Sequence, residues 1–366
     1  MPKPPLPEPI REIPPPPSLL RKAVPLGVVV FWAFSCAGLF GARGWLFELF
    51  SHFRLQYGAA LLALAAAAIA LRSWTWMTAA LCGAAVNVLA MGAYLPGPTP
   101  VPVAPSAPAS PELRLICWNA KVDNPYKEFA AQALRRRWAD VVGLVEINRA
   151  WEGALARAES VWTNRLVVPR NDPFGMALFA SLPARRIRPV YLGSGCEPSI
   201  EAELEAHGVP IYLLLSHPVP PETPRYAALR NEQLLASAKL LASRAGPRIW
   251  MGDFNLTPFS PWYSKLLRIS GLRDTLRGRG YQWSWPADMP WLGIPIDHCW
   301  VSEDFRVLGR RVERGPGSDH RMLQICLEMR GAAASRTEGL AGQGVGKTPR
   351  FRSSARRVAS RAWRAH

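Results

Sequence analysis

No two cysteines in the chain stand two residues apart, and none falls at a zinc-ligand spacing with histidine. This argues against a zinc site. Cys36 and Cys82 lie in apolar runs, and spacing alone leaves open a disulfide among Cys117, Cys196, Cys299 and Cys326. No internal repeat is visible. Acidic residues are scarce, 27 against 44 Lys and Arg, for a net charge of +17. Much of that excess sits in a short tail beyond Arg330, where Lys347 and a series of arginines face Glu338 alone. The middle of the chain is only mildly basic, and it has no long basic insertion interleaved with stacking aromatics. Both absences weaken a case for nucleic acid as partner.

Charge is missing altogether from Val24–Ala42, Tyr57–Leu71 and Thr75–Leu95. A membrane helix needs about 20 mostly apolar residues. The first and third runs meet that length, while the second is short and rich in alanine. Lys3, Arg11, Arg21 and Lys22 precede the first run, which by the positive-inside rule keeps the N-terminus in the cytoplasm. Three crossings then put the chain beyond Leu95 outside the cytoplasm, at the cell (inner) membrane; two would leave it inside. The expected organisation is a disordered Pro-rich N-terminus at 1–23, a membrane region of about three helices at 24–95, a Pro-rich linker at 96–111, a catalytic domain at 112–330 and a disordered basic tail at 331–366. An extended polyproline linker would hold the domain several nanometres from the bilayer.

From Leu113 onward the pattern alternates. Leu113–Trp118, Val141–Val145, Met176–Ala180, Ile211–Ser216, Arg248–Met251, Ile296–Val301 and Leu323–Leu327 read as strands, and Glu128–Trp138 and Tyr226–Arg244 as helices. The expected class is a layered α/β domain with helices over packed sheets.

Polar residues recur at the ends of these apolar strands. Asn119 closes the first, Glu146 closes the second as an oxygen donor suited to a hard cation, and His217 closes Ile211–Ser216. In Gly252-Asp253-Phe254-Asn255, strand alternation would aim Asp253 and Asn255 at one site, a carboxylate to activate water and an amide to orient it. Asp297, costly to bury unpaired, finds its partner in His320 of Ser318-Asp319-His320, while the adjacent His298 faces away as a structural residue. His217 has no evident acidic partner. The aromatic stretch Tyr281–Leu292 precedes Asp297 and suits a cleft wall.

WNAK around Asn119, LVEIN around Glu146, LLLSHP around His217, GDFN at Asp253, the Asp297-His298 strand and the closing SDH resemble, in order, the motifs of the endonuclease/exonuclease/phosphatase superfamily. The layout with membrane runs first, with HPVPP and IPIDH, is similar to a bacterial membrane-anchored subgroup whose members include lipid-pyrophosphate phosphatases of glycopeptide resistance. The resemblance implies a four-layer α/β sandwich of two packed sheets flanked by helices. It implies Mg²⁺ or Mn²⁺ held by Glu146, with Asn119 and Asp319 nearby. It implies a water oriented or deprotonated by Asp253 with Asn255, and a phosphate contacted by His320, which Asp297 holds, with His217 assisting. Arg321 stands where many members carry proline. The expected activity is hydrolysis of a phosphate ester or pyrophosphate, on a lipid-linked substrate in the bilayer. The alternative is an extracytoplasmic DNA or RNA nuclease. No protein partner is expected.

Overall fold

The computed structural model describes residues 18–95, 112–137, 139–157 and 162–330. The linker, the basic tail, Trp138 and all but the end of the Pro-rich N-terminus lie outside the described residues, and so do the expectations placed on them.

Among the described residues, four helices come first: α1 (Ser18–Leu39), α2 (Trp45–Ser51), α3 (Arg54–Ala70) and α4 (Trp74–Met91). Val24, Val28, Leu61, Ala65, Ala68, Ala80 and Ala84 form the shared core of α1, α3 and α4, where small side chains let helices approach closely. Leu19–Leu39 and Trp74–Tyr94 are long and apolar enough to cross a membrane. Helix α3 makes a third span if it is taken with α2, from which it is bent by 61°. The break at α2 falls in a stretch that the hydropathy of the sequence leaves unassigned.

Twelve strands and four further helices come after them: β1 (Glu112–Asn119), α5 (Lys127–Arg135), β2 (Val141–Val145), α6 (Arg149–Arg157), β3 (Asn164–Val168), β4 (Met176–Ala180), β5 (Ala184–Tyr191), β6 (Pro198–Ala206), β7 (Val209–Ser216), α7 (Pro224–Ala242), β8 (Arg248–Asp253), α8 (Pro261–Ser270), β9 (Arg273–Asp274), β10 (Asp297–Val301), β11 (Phe305–Arg314) and β12 (Arg321–Met329). They build two six-stranded mixed sheets, ordered β11-β12-β1-β2-β4-β3 and β5-β6-β7-β8-β10-β9. Each has one parallel pair at its centre, β1–β2 and β7–β8. Helices α5 and α6 cover the outer face of the first sheet around Trp118, Leu134 and Trp151; α7 and α8 cover the second around Leu234, Trp250 and Leu266. The sheets meet face to face so closely that a Cβ on Gly143 would stand 2.6 Å from Met251 Cε and 2.9 Å from Leu215 Cδ1. The expected α/β sandwich is the observed fold. All six cysteines are free.

The N-terminal helices do not stand off from the sandwich. Trp45 Nε1 donates to Pro221 O at 2.7 Å, Gln56 Nε2 to Gly293 O at 2.9 Å and Gly278 N to Ala93 O at 2.9 Å. Contacts of α2, of the start of α3 and of the turn after α4 thus join these helices directly to the sandwich.

Candidate active site

The two parallel pairs run to the same edge of the sandwich. Asn119 ends β1, Glu146 follows β2, His217 follows β7 and Asp253 ends β8. Asp297 opens β10 directly opposite Asp253 in the antiparallel register. Asp319 and His320 lie in the turn before β12. Asn119 Nδ2 joins the two sheets: it donates to Glu146 Oε1 at 2.8 Å and to Asp253 Oδ2 at 3.1 Å. His320 Nδ1 lies 2.8 Å from Asp297 Oδ2, and its Nε2 lies 3.6 Å from Asp253 Oδ2. The acidic partner that His217 lacked in the sequence is Asp253, with His217 Nε2 3.7 Å from its Oδ2.

The backbone is bent to achieve this. Gly252 has φ +151°, and a Cβ there would stand 1.9 Å from Ser216 O, so β7 and β8 can close only around glycine. Glu146 and Asn255 adopt φ of 63° and 49°, sparsely populated values for residues with side chains. Strand β8 stops at Asp253, so alternation does not put Asp253 and Asn255 on one face as expected. They are related instead by a turn in which Asn255 N donates to Asp253 Oδ1 at 3.0 Å. The Asn255 amide donates to Pro218 O at 3.0 Å and fixes the segment after His217.

Two carboxylates facing each other in a buried pocket cannot both ionise freely. Burial and Asp297 raise the Asp253 carboxyl above its usual range, against the pull of His320 and His217. Burial also works against the charge on His320, yet Asp297 and Asp253 prevail and lift its pKa to about 9. The array therefore holds a proton on His320 at neutral pH beside a carboxylate poised to accept another. Ligand atoms of Asp253, Asp297 and His320 lie within 4.8 Å of one another, a spacing compatible with a metal site. Because Asp297 occupies one nitrogen of His320 and Asp253 faces the other, the group is better suited to moving a proton.

Glu146 and Asp319 are half-buried carboxylates at the rim, the all-oxygen donor chemistry that Mg²⁺ or Mn²⁺ requires. Asn119 departs from the expected ligand role in one respect: its N–H groups, not its oxygen, face the carboxylates. A flipped amide would set oxygen against two carboxylates, which is tolerable only with a cation among them. The donor set fits a hard divalent ion.

Several supporting residues escaped the sequence. Ser318 Oγ donates to Asn119 O at 2.7 Å and accepts from His320 N at 2.9 Å. Ser284 Oγ accepts from the backbone N of Ile296 and Asp297, and Trp118 Nε1 donates to His320 O at 3.1 Å. Trp285 stands beside the site, its ring centroid 6.3 Å from that of His320. Ser318 carried a signal in its place in the SDH motif, and Ser284 and Trp285 lie in the aromatic stretch Tyr281–Leu292 that suited a cleft wall. His298 is structural, as expected: it is fully buried, with Nε2 2.7 Å from Leu256 O and Nδ1 3.2 Å from Tyr263 Oη. Burial lowers its pKa to about 4, so it is neutral.

Residues 116–320 match the Endonuclease/Exonuclease/phosphatase family, over more than half of the chain. The chain belongs to this family. No curated protein matches the sequence. Among solved structures, the fold is similar to D. rerio TDP2 complexed with a single-strand DNA product, at 16% identity and TM-score 0.51, covering 60% of this chain and 99% of that one. It is similar also to an endonuclease/exonuclease/phosphatase from Bacteroides vulgatus, at 17% identity and TM-score 0.50, with 60% and 99% covered. A functionally unknown conserved protein from Enterococcus faecalis V583 aligns at 14% identity and TM-score 0.50, with 60% and 100% covered. At such identities the likeness is one of fold. Family membership makes the chain a hydrolase acting on phosphate esters.

Proposed function

We propose that the chain is a membrane-anchored, Mg²⁺- or Mn²⁺-dependent phosphohydrolase that acts on a lipid-linked phosphate ester or pyrophosphate. One observation carries the substrate class. The loop that flanks His320 with Trp285 is tied through Gly293 to Gln56 at the start of α3. Beside that tie Met289, Trp291 and Leu292 are 41%, 68% and 43% exposed. Tryptophan and apolar side chains at the end of a membrane helix suit the headgroup region of a bilayer. A phosphate carried by a lipid would then reach the cleft without leaving the membrane.

Asp253 takes the proton of the attacking water, with Asn255 setting the turn that holds its carboxylate. Protonated His320, kept in place by Asp297, donates to a phosphoryl oxygen as negative charge develops there. His217 lies on the other side of Asp253, placed to bind the phosphate or assist the leaving group. A cation held by Glu146 with Asp319 and Asn119 would neutralise phosphate charge. With the N-terminus in the cytoplasm and three crossings, the cleft opens on the outer face of the cell membrane.

The full chain in detergent-containing lipid micelles should release phosphate from a polyprenyl pyrophosphate with Mg²⁺ and stop with EDTA. It should prefer that substrate to soluble inositol phosphates. Nicking of plasmid DNA with steep salt dependence, and no turnover of the lipid, would replace this reading with a nuclease.

A further inference from the structure

A second group of contacts between the N-terminal helices and the sandwich converges on one loop. Glu48 of α2 is buried, and both its carboxylate oxygens lie 2.7 Å from Nη2 of Arg230, a fully buried residue of α7. Ser260 Oγ donates to Glu48 Oε1 at 2.7 Å. The other terminal nitrogen of Arg230 donates to the backbone carbonyl of Asn255 at 3.0 Å. Two residues further on, Thr257 Oγ1 lies 2.8 Å from Nδ1 of His52, which sits between α2 and α3. The loop from Asp253 to Ser260 is thus gripped at three points by side chains that belong to, or depend on, the membrane segment.

The grip matters because Asn255 is held in the left-handed region at φ 49°. A backbone in a sparsely populated conformation persists only where its surroundings fix it. At this position the carbonyl must be pinned for the turn to Asp253 to survive. Arg230 pins it, and Arg230 tolerates full burial because Glu48 neutralises it. We infer that Glu48 is a positioning residue for the catalytic turn, acting through Arg230 on the Asn255 carbonyl, so that the membrane segment completes the active site. The kinetic readout rests on the phosphohydrolase function proposed above; the assignment itself can be read without it.

The test uses the full chain in detergent with three variants: Glu48→Gln, Glu48→Asp, and Glu48→Gln combined with Arg230→Met. Glu48→Gln should lower kcat by roughly 10- to 100-fold with KM little changed, the effect of a small misplacement of a reacting group. Glu48→Asp should recover part of it. The double variant removes the unpaired buried charge and should regain thermal stability while kcat stays low, because nothing holds the Asn255 carbonyl. Amide hydrogen exchange across 253–260 should quicken in both Gln-containing variants, a readout that needs no substrate. A double variant that regains wild-type kcat, or a folded Glu48→Gln with unchanged exchange in that loop, would overturn the assignment. A wild-type protein inactive on every phosphoester would instead sink the functional proposal and leave exchange to decide this one.

Discussion

Asp253 is the residue on which the others converge: it accepts from Asn119, faces Asp297 across the strands and lies between two histidines. Replacing it with asparagine keeps the shape and removes the proposed base. Turnover should fall by about 10²–10⁴-fold, with the circular-dichroism spectrum unchanged. His320 offers a second prediction, made for metal-free protein. Its folded pKa of about 9 lies above the ordinary histidine value of 6.5. A raised histidine stabilises the fold fully below its unfolded pKa and loses that contribution as pH climbs through its folded one. The thermal midpoint should therefore decline between pH 6.5 and about 9, and His320→Gln should flatten that limb; an equal decline in the variant would reject the assignment.

At the scale of elements, the close approach of the sheets is the sharpest constraint. Gly143→Ala drives a methyl against Met251 and Leu215 and should cost about 1–3 kcal/mol in denaturant unfolding. What the sequence disclosed of these elements follows from burial. Strands β1, β2, β4, β7, β8, β10 and β12 are nearly all buried and read as apolar runs. Strands β3, β5 and β11 lie at sheet edges; β5 and β11 carry arginines at short intervals and β3 is a short strand holding Arg165, so no long apolar run marks them. Their signals are cross-strand, such as Arg188 Nε at 2.5 Å from Glu201 Oε1 of β6, and local pattern does not contain them. The site was legible for a related reason: its residues end the buried strands, where a polar side chain stands out. The turn at Asn255 was not, because the end of β8 is set by Gly252 closing on Ser216 and not by composition.

For the whole molecule, the N-terminal helices and the sandwich share a buried ion pair, so the sandwich is not a detachable unit. An excised 112–330 fragment would lose Glu48, the partner of Arg230 and Ser260, and uncover the faces that the N-terminal helices pack against. The fragment should unfold at lower denaturant than the same region in the full chain. Charge placed at the lip, as in Trp291→Glu, should slow hydrolysis of a vesicle-borne substrate and leave a short-chain soluble analogue unaffected.

In the proposed membrane anchor, helix α3 taken without α2 has 17 residues and so covers about 25 Å, short of the roughly 30 Å hydrocarbon core of an ordinary bilayer. A span too short for its surroundings draws the membrane thin around it. The headgroups nearest the protein would then sink toward the cleft, and acyl-chain length becomes a variable of catalysis. Vesicles of shorter-chain lipids, whose thickness matches α3, should support faster turnover than long-chain ones at equal substrate density.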